Sequence, residues 1–405
     1  MRVLAVGNMY PPHHFGGYEL VWRSAMEHLR SRGHEVRVLT TDLRTGSTEP
    51  DDPAVHRELR WHWRSGGFAP QGLRERVAMA RHNHRVLERH LASARPQVVS
   101  WWSMGGLSLT LIEAVRRRRL PAVGFVHDDW LEYGRHVDGW LHLFGGRKAL
   151  AAPAAERLAG IPARVDLGEA ARWIFVSEAT RRRALARGPG LERTAVAHSG
   201  IDPSFLDPAP ARDWGWQLLY VGRLDARKGV HTAVEALPHL PAQARLRVVG
   251  GWDEEEAARL RELAARLGVA GRVHFDGQLD RGELGAAYAG ADVVVFPVVW
   301  DEPWGLVPLE GMAKGRPVVA TGRGGSGEYL RDGENCLLFP AGDASALATA
   351  VQRLADDPGL RSHLRARGLE TAARHTEESF NEAVERFLLD AAGAGTEPAR
   401  QPARA

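Results

Sequence analysis

Lysine is nearly absent from this chain. Of its 53 lysine and arginine residues, only Lys148, Lys228 and Lys314 are lysine. A GC-rich genome writes arginine wherever a generic positive charge suffices, so a retained lysine is informative. Lys228 and Lys314 both fall in the motifs described below. Cysteine is scarcer still: Cys336 alone excludes an internal disulfide and a cysteine-built metal cluster. Its place in a short apolar run predicts a buried, inert thiol. No apolar stretch approaches the length of a bilayer-spanning helix. No cleavable leader precedes RVLAVG, and the expected location is cytoplasmic.

What is present is ordinary for a globular protein: 44% hydrophobic and 25% charged residues. At 405 residues there is room for two domains with full cores. The net charge of +3 conceals an uneven split. Residues 1–200 carry 30 basic and 20 acidic groups, residues 201–405 carry 23 and 30. A basic first half suits an anionic partner or a membrane surface; a solvated arginine face is the plainer account.

The chain opens on a strand over 2–7, a loop NMYPPHHFGG, an amphipathic helix over 18–32 and a strand EVRVLT. That order is α/β. The dinucleotide fingerprint G-x-G-x-x-G is missing after strand one, although Asp42 stands where such a fold places its acid. Gly16 and Gly17 instead come late, against the helix start, with Glu19 following. Residues 46–72 are polar and turn-rich, with Trp61 and Trp63 among arginines, and read as a long insertion or mobile loop. A basic helix over 73–93 carries Arg74, Arg76, Arg81, Arg85 and Arg89, the last three sharing a face. Arg116 to Arg119 form a second cluster.

The strand AVGFV empties into His127, Asp128, Asp129 and Trp130. Ligands on α/β sheets bind beyond the carboxyl ends of strands, so this position counts, though a lone histidine is more often structural. Trp101, Trp102, Trp130 and Trp140 suit either core packing or stacking on a sugar or aromatic ring. Residues 203–214 are proline-rich and read as a linker. A second α/β series begins with QLLYVGRLDARKGV, where Arg223 and Lys228 flank a turn at a strand end. Such a pair can clamp a pyrophosphate, arginine by its fork and lysine as a point charge. Residues 322–327 satisfy G-x-G-x-x-G literally, but no full βαβ unit follows.

The densest chemistry lies in VVWDEPWGLVPLEGMAKG, residues 298–315. A buried strand ends at Pro297 and a helix starts near Gly305. Glu302 and Glu310 bracket the turn with seven residues between them. The first amides of such a helix, at Gly305, Leu306 and Val307, lack intrahelical acceptors and sit at the positive end of the dipole. They can meet an anion or hydroxyls. Glu302 at the helix mouth and Glu310 about a turn deeper can accept two sets of hydroxyl donors. Hydroxyls at both ends and phosphate between them describe a sugar nucleotide; for two glutamates alone, a solvated pair is the plain alternative.

The longer string DEPWGLVPLEGMAKGRPVVATGRGGSGEYLRDGENCLLFPAGD resembles the donor-binding segment of family 4 retaining glycosyltransferases, through Glu302, Glu310, Gly324, Gly325, Glu328 and Asp343. The resemblance implies the GT-B architecture: α/β, two Rossmann-like domains facing across a cleft. Residues 1–203 would be the acceptor side and 204–375 the donor-binding domain. A terminal helix over 376–390 would cross back, and 391–405 would be a disordered tail. The implied reaction is retaining transfer of a sugar from a nucleoside diphosphate sugar to a small soluble acceptor, with no cofactor and no metal. Carried over by position, Arg223 and Lys228 hold the leaving diphosphate, supported by Gly305, Leu306 and Val307. Glu302 orients the sugar and Glu310 the ribose. Gly277 and Leu279 meet the nucleobase, Gly16 and Gly17 approach the donor phosphate, and His127 sits over the reacting face. His127, Glu302, Arg223 and Lys228 form the catalytic group; Asp128 and Trp130 are acceptor candidates. Nucleic acid is not an expected partner. Alternatives are a peripheral-membrane transferase with a lipid-linked acceptor, a sugar-nucleotide epimerase of the same fold, and a catalytically silent sugar-nucleotide-binding protein. A dehydrogenase is disfavoured by the missing fingerprint. Ser199 stands where many relatives have asparagine. The base, the sugar, the acceptor and the oligomeric state stay open.

Overall fold

The computed structural model describes residues 1–14, 16–47, 49–64, 67–187, 190–251 and 254–394. The chain divides into two compact units, Met1–Ala197 with 380–405, and His198–Ser379. In the first unit the strands are β1 (Arg2–Val6), β2 (Glu35–Thr41), β3 (Val55–Leu59), β4 (Trp63–Arg64), β5 (Gly67–Phe68), β6 (Val98–Trp101), β7 (Ala122–Val126), β8 (Arg172–Phe175) and β9 (Thr194–Val196). All but the β4–β5 hairpin form one parallel sheet in the order β3-β2-β1-β6-β7-β8-β9. The second unit has β10 (Gln217–Val221), β11 (Arg245–Val249), β12 (Val273–Gly277), β13 (Val293–Phe296), β14 (Val318–Ala320) and β15 (Leu337–Leu338). Their order, β12-β11-β10-β13-β14-β15, is also parallel throughout. Both sheets are doubly wound, and the order reverses beside the first strand of each, between β1 and β6 and between β10 and β13. Runs such as VLAV and VVVF are buried on both faces, as parallel strands covered by helices must be.

Residues 46–72 are not one irregular insertion. Val55–Leu59 is the edge strand of the first sheet, and 63–64 with 67–68 form a short hairpin. The strand was hidden because only its two ends, Val55 and Leu59, are buried, which erases the alternation that marks a strand. The helix Leu73–Ala94 covers it through Asn83, whose side chain both accepts from the Arg60 amide (2.8 Å) and donates to the Arg60 carbonyl (3.0 Å). Trp61 is buried and donates to the Gly105 carbonyl at 3.0 Å.

The arginine clusters are largely spent on the fold. Arg89 pairs with Glu58, Arg118 with Glu88, and Arg117 with both Glu113 and Glu156. Arg81 donates to the carbonyls of Leu158 and Ala159. The four tryptophans are core: Trp101, Trp102 and Trp130 are fully buried and Trp140 nearly so. Cys336 is buried, and desolvation pushes its thiol up to about 12.

The units divide after Ala197, six residues before the position expected from the proline-rich stretch. That stretch is strapped to the second unit rather than free. Lys314 donates to the carbonyls of Ser204 and Asp207 (3.0 Å each), Arg316 to Pro210, and Arg365 to Ala209. Lys314, one of the three lysines, is therefore a backbone anchor. The last helix, Glu377–Ala394, starts on the second unit, where the Glu377 amide bonds the Ile201 carbonyl, and belongs to the first from Phe380 onward. Residues 391–394, expected within the tail, are helical; the remainder of that tail lies outside the described residues.

Candidate functional site

In the second unit, the loops after β10 and β13 flank the point where strand order reverses, the usual ligand crevice of such a sheet. Gly222 and Arg223 follow β10, and Lys228 ends a short 3-10 turn capped by Asp225. Gly229 closes that turn at φ 70°, with its α-carbon against the Pro297 carbonyl, where a Cβ would lie 2.0 Å from the oxygen. Only glycine lets the two loops meet so closely. Across this contact the Lys228 ammonium donates to Glu302 at 2.7 Å, both side chains mostly buried. The indole of Trp300 donates to the same carboxylate oxygen at 2.9 Å. The Arg223 side chain is exposed and forms no ion pair among the described residues. Glu302 and Arg223 both act on the buried Tyr220 hydroxyl, which donates to the Arg223 carbonyl (2.8 Å).

Behind Glu302 stands the glycine string that imitates a dinucleotide fingerprint. Gly324, at φ 66°, pairs with Glu302 as an isolated bridge, and the Gly325 amide donates to the Glu302 carbonyl at 2.7 Å. A Cβ on Gly324 would lie 2.3 Å from that carbonyl oxygen. These glycines therefore shape the Glu302 loop from behind.

The helix begins at Leu306, with Gly305 as its cap at φ 86°. Tyr329 donates to the Gly305 carbonyl at 2.5 Å and lies within electrostatic reach of both Glu302 and Glu310. Leu306 and Val307 are partly exposed in the first turn. Glu310 accepts from the Tyr288 hydroxyl at 2.5 Å, and burial raises its carboxyl above the usual range. Trp304 stacks on His198 (4.2 Å, 7°) and donates to the Ser199 carbonyl at 2.8 Å. Ser199 thus contributes its backbone here. Gly277 ends β12 at φ 81°, and Leu279 is partly buried just after it.

In the first unit the loop residues Asn8 and Ser103, after β1 and β6, bond each other at the reversal (Nδ2 to Oγ, 3.0 Å). One strand over, His127 leaves β7 stacked on Tyr18 (4.5 Å, 6°) with Phe380 edge-on at 5.4 Å. Desolvation lowers the imidazole to about 3, so it is neutral at physiological pH. Asp128 beside it is driven up to about 7, by burial first and by the negative charges of Asp129 and Glu19 after. Its carboxylate accepts from the Trp130 amide (3.1 Å) and the Tyr133 hydroxyl (3.5 Å). Trp130 itself faces the core against Trp173 (5.6 Å), which removes it from the acceptor candidates. Gly16 caps the first helix, its amide held by Glu19 at 3.0 Å, while a Cβ on Gly17 would meet nothing within 4 Å. Of the two glycines, Gly16 has its amide already engaged.

Sequence reasoning missed Tyr288, Trp300, Tyr18 and Tyr133. Trp300, two residues from Glu302, could have been found; the others reach the site through folding alone. A separate group, His56, Glu58 and His90, has ligand atoms within 4.8 Å of one another. The Arg89 guanidinium holds Glu58 and Arg37 faces His90 at 3.5 Å, so a cation there would meet two positive charges. A cavity of about 620 Å³ lined by Arg119, Arg172 and Arg193 lies at the amino ends of β7, β8 and β9, at the opposite strand ends from His127.

Two family models match in succession: "Glycosyltransferase Family 4" over residues 15–205 and "Glycosyl transferases group 1" over 208–371. Phosphatidyl-myo-inositol mannosyltransferase of Mycolicibacterium smegmatis is 30% identical over 388 residues, 94% of this chain and 92% of that protein. The chain belongs to glycosyltransferase family 4. Another relative, the lipopolysaccharide core biosynthesis glycosyltransferase LpsE of Rhizobium meliloti, is 39% identical over 172 residues. That match takes in 42% of this chain and 49% of LpsE, so the chain spans about half that relative's length. Among solved structures, Anabaena HepE in complex with UDP and glucose superposes with a TM-score of 0.68 at 20% identity. It covers 96% of this chain and 100% of that one, a likeness of fold. With its two parallel-sheet α/β units, the chain has the GT-B glycosyltransferase fold.

Proposed function

We propose that this family 4 protein is a retaining glycosyltransferase that takes a sugar from a nucleoside diphosphate sugar. The observation that carries the reading is the Lys228–Glu302 pair at 2.7 Å, set in the crevice where the second sheet reverses its order, with Arg223 exposed beside it. The lysine and arginine supply positive charge for a diphosphate, and the first turn at Leu306 and Val307 adds oriented amides. Glu302 is then the hydroxyl acceptor at the sugar end and Glu310 at the ribose end. The anomeric bond to phosphate breaks as one to an acceptor oxygen forms on the same face, and the acceptor's proton leaves with the diphosphate. Stabilising the departing charge and aligning the two reactants lower the barrier. His127, neutral and braced by Tyr18, is a hydrogen-bonding rather than a charged group. Gly277 and Leu279 stay assigned to the nucleobase.

No divalent cation is required in this scheme, because the diphosphate charge is met by protein groups. Sugar transfer from UDP-, GDP- and ADP-sugars should survive exhaustive EDTA; a loss restored by magnesium would refute the scheme. Release of nucleoside diphosphate that depends on an added acceptor separates a transferase from an epimerase, which needs none.

A small soluble acceptor remains the first reading, and one observation favours a lipid-linked one. Leu150 and Leu158 are 87% and 83% exposed, and Arg147, Lys148 and Arg157, near them in sequence, are exposed too. Exposed leucines with exposed cations next to them in sequence fit an anionic membrane surface. No described helix is long and apolar enough to cross a membrane. Sedimentation with anionic vesicles at physiological salt decides: co-pelleting abolished by Leu150→Ser with Leu158→Ser favours the lipid-linked acceptor, and its absence the soluble one.

A further inference from the structure

Each carboxylate of the Glu302–Glu310 pair has one oxygen committed to an aromatic donor, but in different settings. Oε2 of Glu302 takes the Trp300 indole and the Lys228 ammonium together. Oε2 of Glu310 takes the Tyr288 hydroxyl alone, at 2.5 Å. Tyr288 is fully buried, with Phe205 edge-on to its ring at 5.7 Å and 90°. Burial and the neighbouring carboxylate push its phenol far above the ordinary range, so it stays a donor at every working pH. A phenol has one hydrogen to give, and here it goes to Oε2. Oε1 of Glu310 has no hydrogen-bond partner among the described residues and is not sealed from solvent.

We propose that Tyr288 is a positioning residue of the nucleotide site. Its hydroxyl commits Oε2 of Glu310 and leaves Oε1 to accept from a vicinal diol, which makes the site selective for a ribose over a deoxyribose. The inference rests on the sugar-nucleotide reading above. The same bond opposes the rise that burial imposes on the Glu310 carboxyl, so it also favours the ionised form that can accept two hydroxyl donors. The other ionisable groups acting on Glu310 are Tyr329, and Arg281 with Asp202, which are paired with each other.

The test is calorimetric titration of the full chain with UDP, GDP and ADP and with their 2′-deoxy counterparts, at pH 6 and pH 8. Wild type should prefer its ribonucleotide by about 10-fold or more, the range of a hydrogen bond to a charged group. Tyr288→Phe, which keeps the ring, should cut that preference to about 3-fold or less. Its affinity should fall further at pH 6 than at pH 8, because a carboxyl without its donor protonates more readily. In Glu310→Gln with Tyr288→Phe, no loss should appear beyond that of Glu310→Gln alone, since Tyr288 acts through Glu310. An unchanged ribose preference and pH profile in Tyr288→Phe, or additive losses in the double variant, overturns the role of Tyr288 while the sugar-nucleotide reading stands. Should Tyr288→Phe prove unfolded by circular dichroism, Tyr288→Trp, retaining a donor at a shifted position, should likewise lose the preference; an intact preference overturns the role. Wild type that binds none of the nucleotides removes both readings.

Discussion

The two units share a sheet order yet hold the polar groups at and beside the reversal by different means. In the second unit charge answers charge: Lys228 lies on Glu302, and Asp225 is lowered to about 2 by Arg227 beside it. In the first unit burial is the leading influence on His127 and Asp128. The imidazole is kept neutral by aromatic packing, and the carboxyl is pushed up towards neutrality by burial. A site of paired ions is preorganised for a charged ligand, which replaces one partner with another. A desolvated site tolerates charge poorly and suits a neutral ligand such as a hydroxylated acceptor. On the function proposed above, the first kind of site is the donor's and the second the acceptor's.

The largest expected effect breaks the charged half. Lys228→Ala or Arg223→Ala should weaken a nucleoside diphosphate by about 10- to 100-fold each, while the bare nucleoside is bound as before. Titration with both ligands checks this; equal losses for the two would end the clamp assignment. Next comes the partner of that lysine. Glu302→Gln frees the ammonium, so the nucleoside diphosphate should bind as tightly as before or a few-fold tighter. Sugar transfer should nevertheless fall by at least about 10-fold, the scale of one lost charged contact. If nucleotide affinity falls in parallel with transfer, Glu302 is not the sugar-side carboxylate.

The smallest effect probes the desolvated half. With a folded value near 7 against an ordinary 3.8, the Asp128 carboxyl binds more protons folded than unfolded. Stability therefore falls as pH rises between those values and stays low above 7. Asp128→Asn removes that penalty and should raise the melting temperature at pH 8, by about 2–4 °C for each kcal/mol regained. The advantage should shrink through pH 7 and vanish near pH 4. A variant less stable than wild type at pH 8 would show that the carboxylate is satisfied there.

This asymmetry also explains what the sequence could disclose. The donor-side residues are set by short loops, where Gly229, Gly305 and Gly324 mark close approaches and Arg223, Lys228 and Glu302 lie beside them in sequence. Local chemistry predicts local geometry there. The literal G-x-G-x-x-G at 322–327 has its use in supporting Glu302, which becomes visible only when the two loops are in contact. On the other unit, Phe380 reaches His127 from a helix over 250 residues away, and Trp130 turns inward although it follows two acids. Nothing in the neighbourhood of a residue records such packing. Strand β3 escaped for a related reason, its middle residues being polar on both faces. Tyr288 sits in a helix whose only sequence mark is the capping Asp280–Glu283 exchange, 22 residues from the glutamate it serves.

The terminal helix carries a consequence for biosynthesis. Asn381 bonds Ser24 at 2.8 Å, and Glu385 accepts from His28 (3.2 Å) and His34 (2.8 Å), all in the unit that begins at Met1. The ribosome has therefore released the whole of the second unit before it supplies the segment that completes the first. Residues 1–197 emerge early yet must wait, with the surface meant for Phe380, Val384 and Leu388 uncovered, while some 180 further residues are translated. At about 5–20 residues per second that interval is on the order of ten to forty seconds. The half made first is the half finished last.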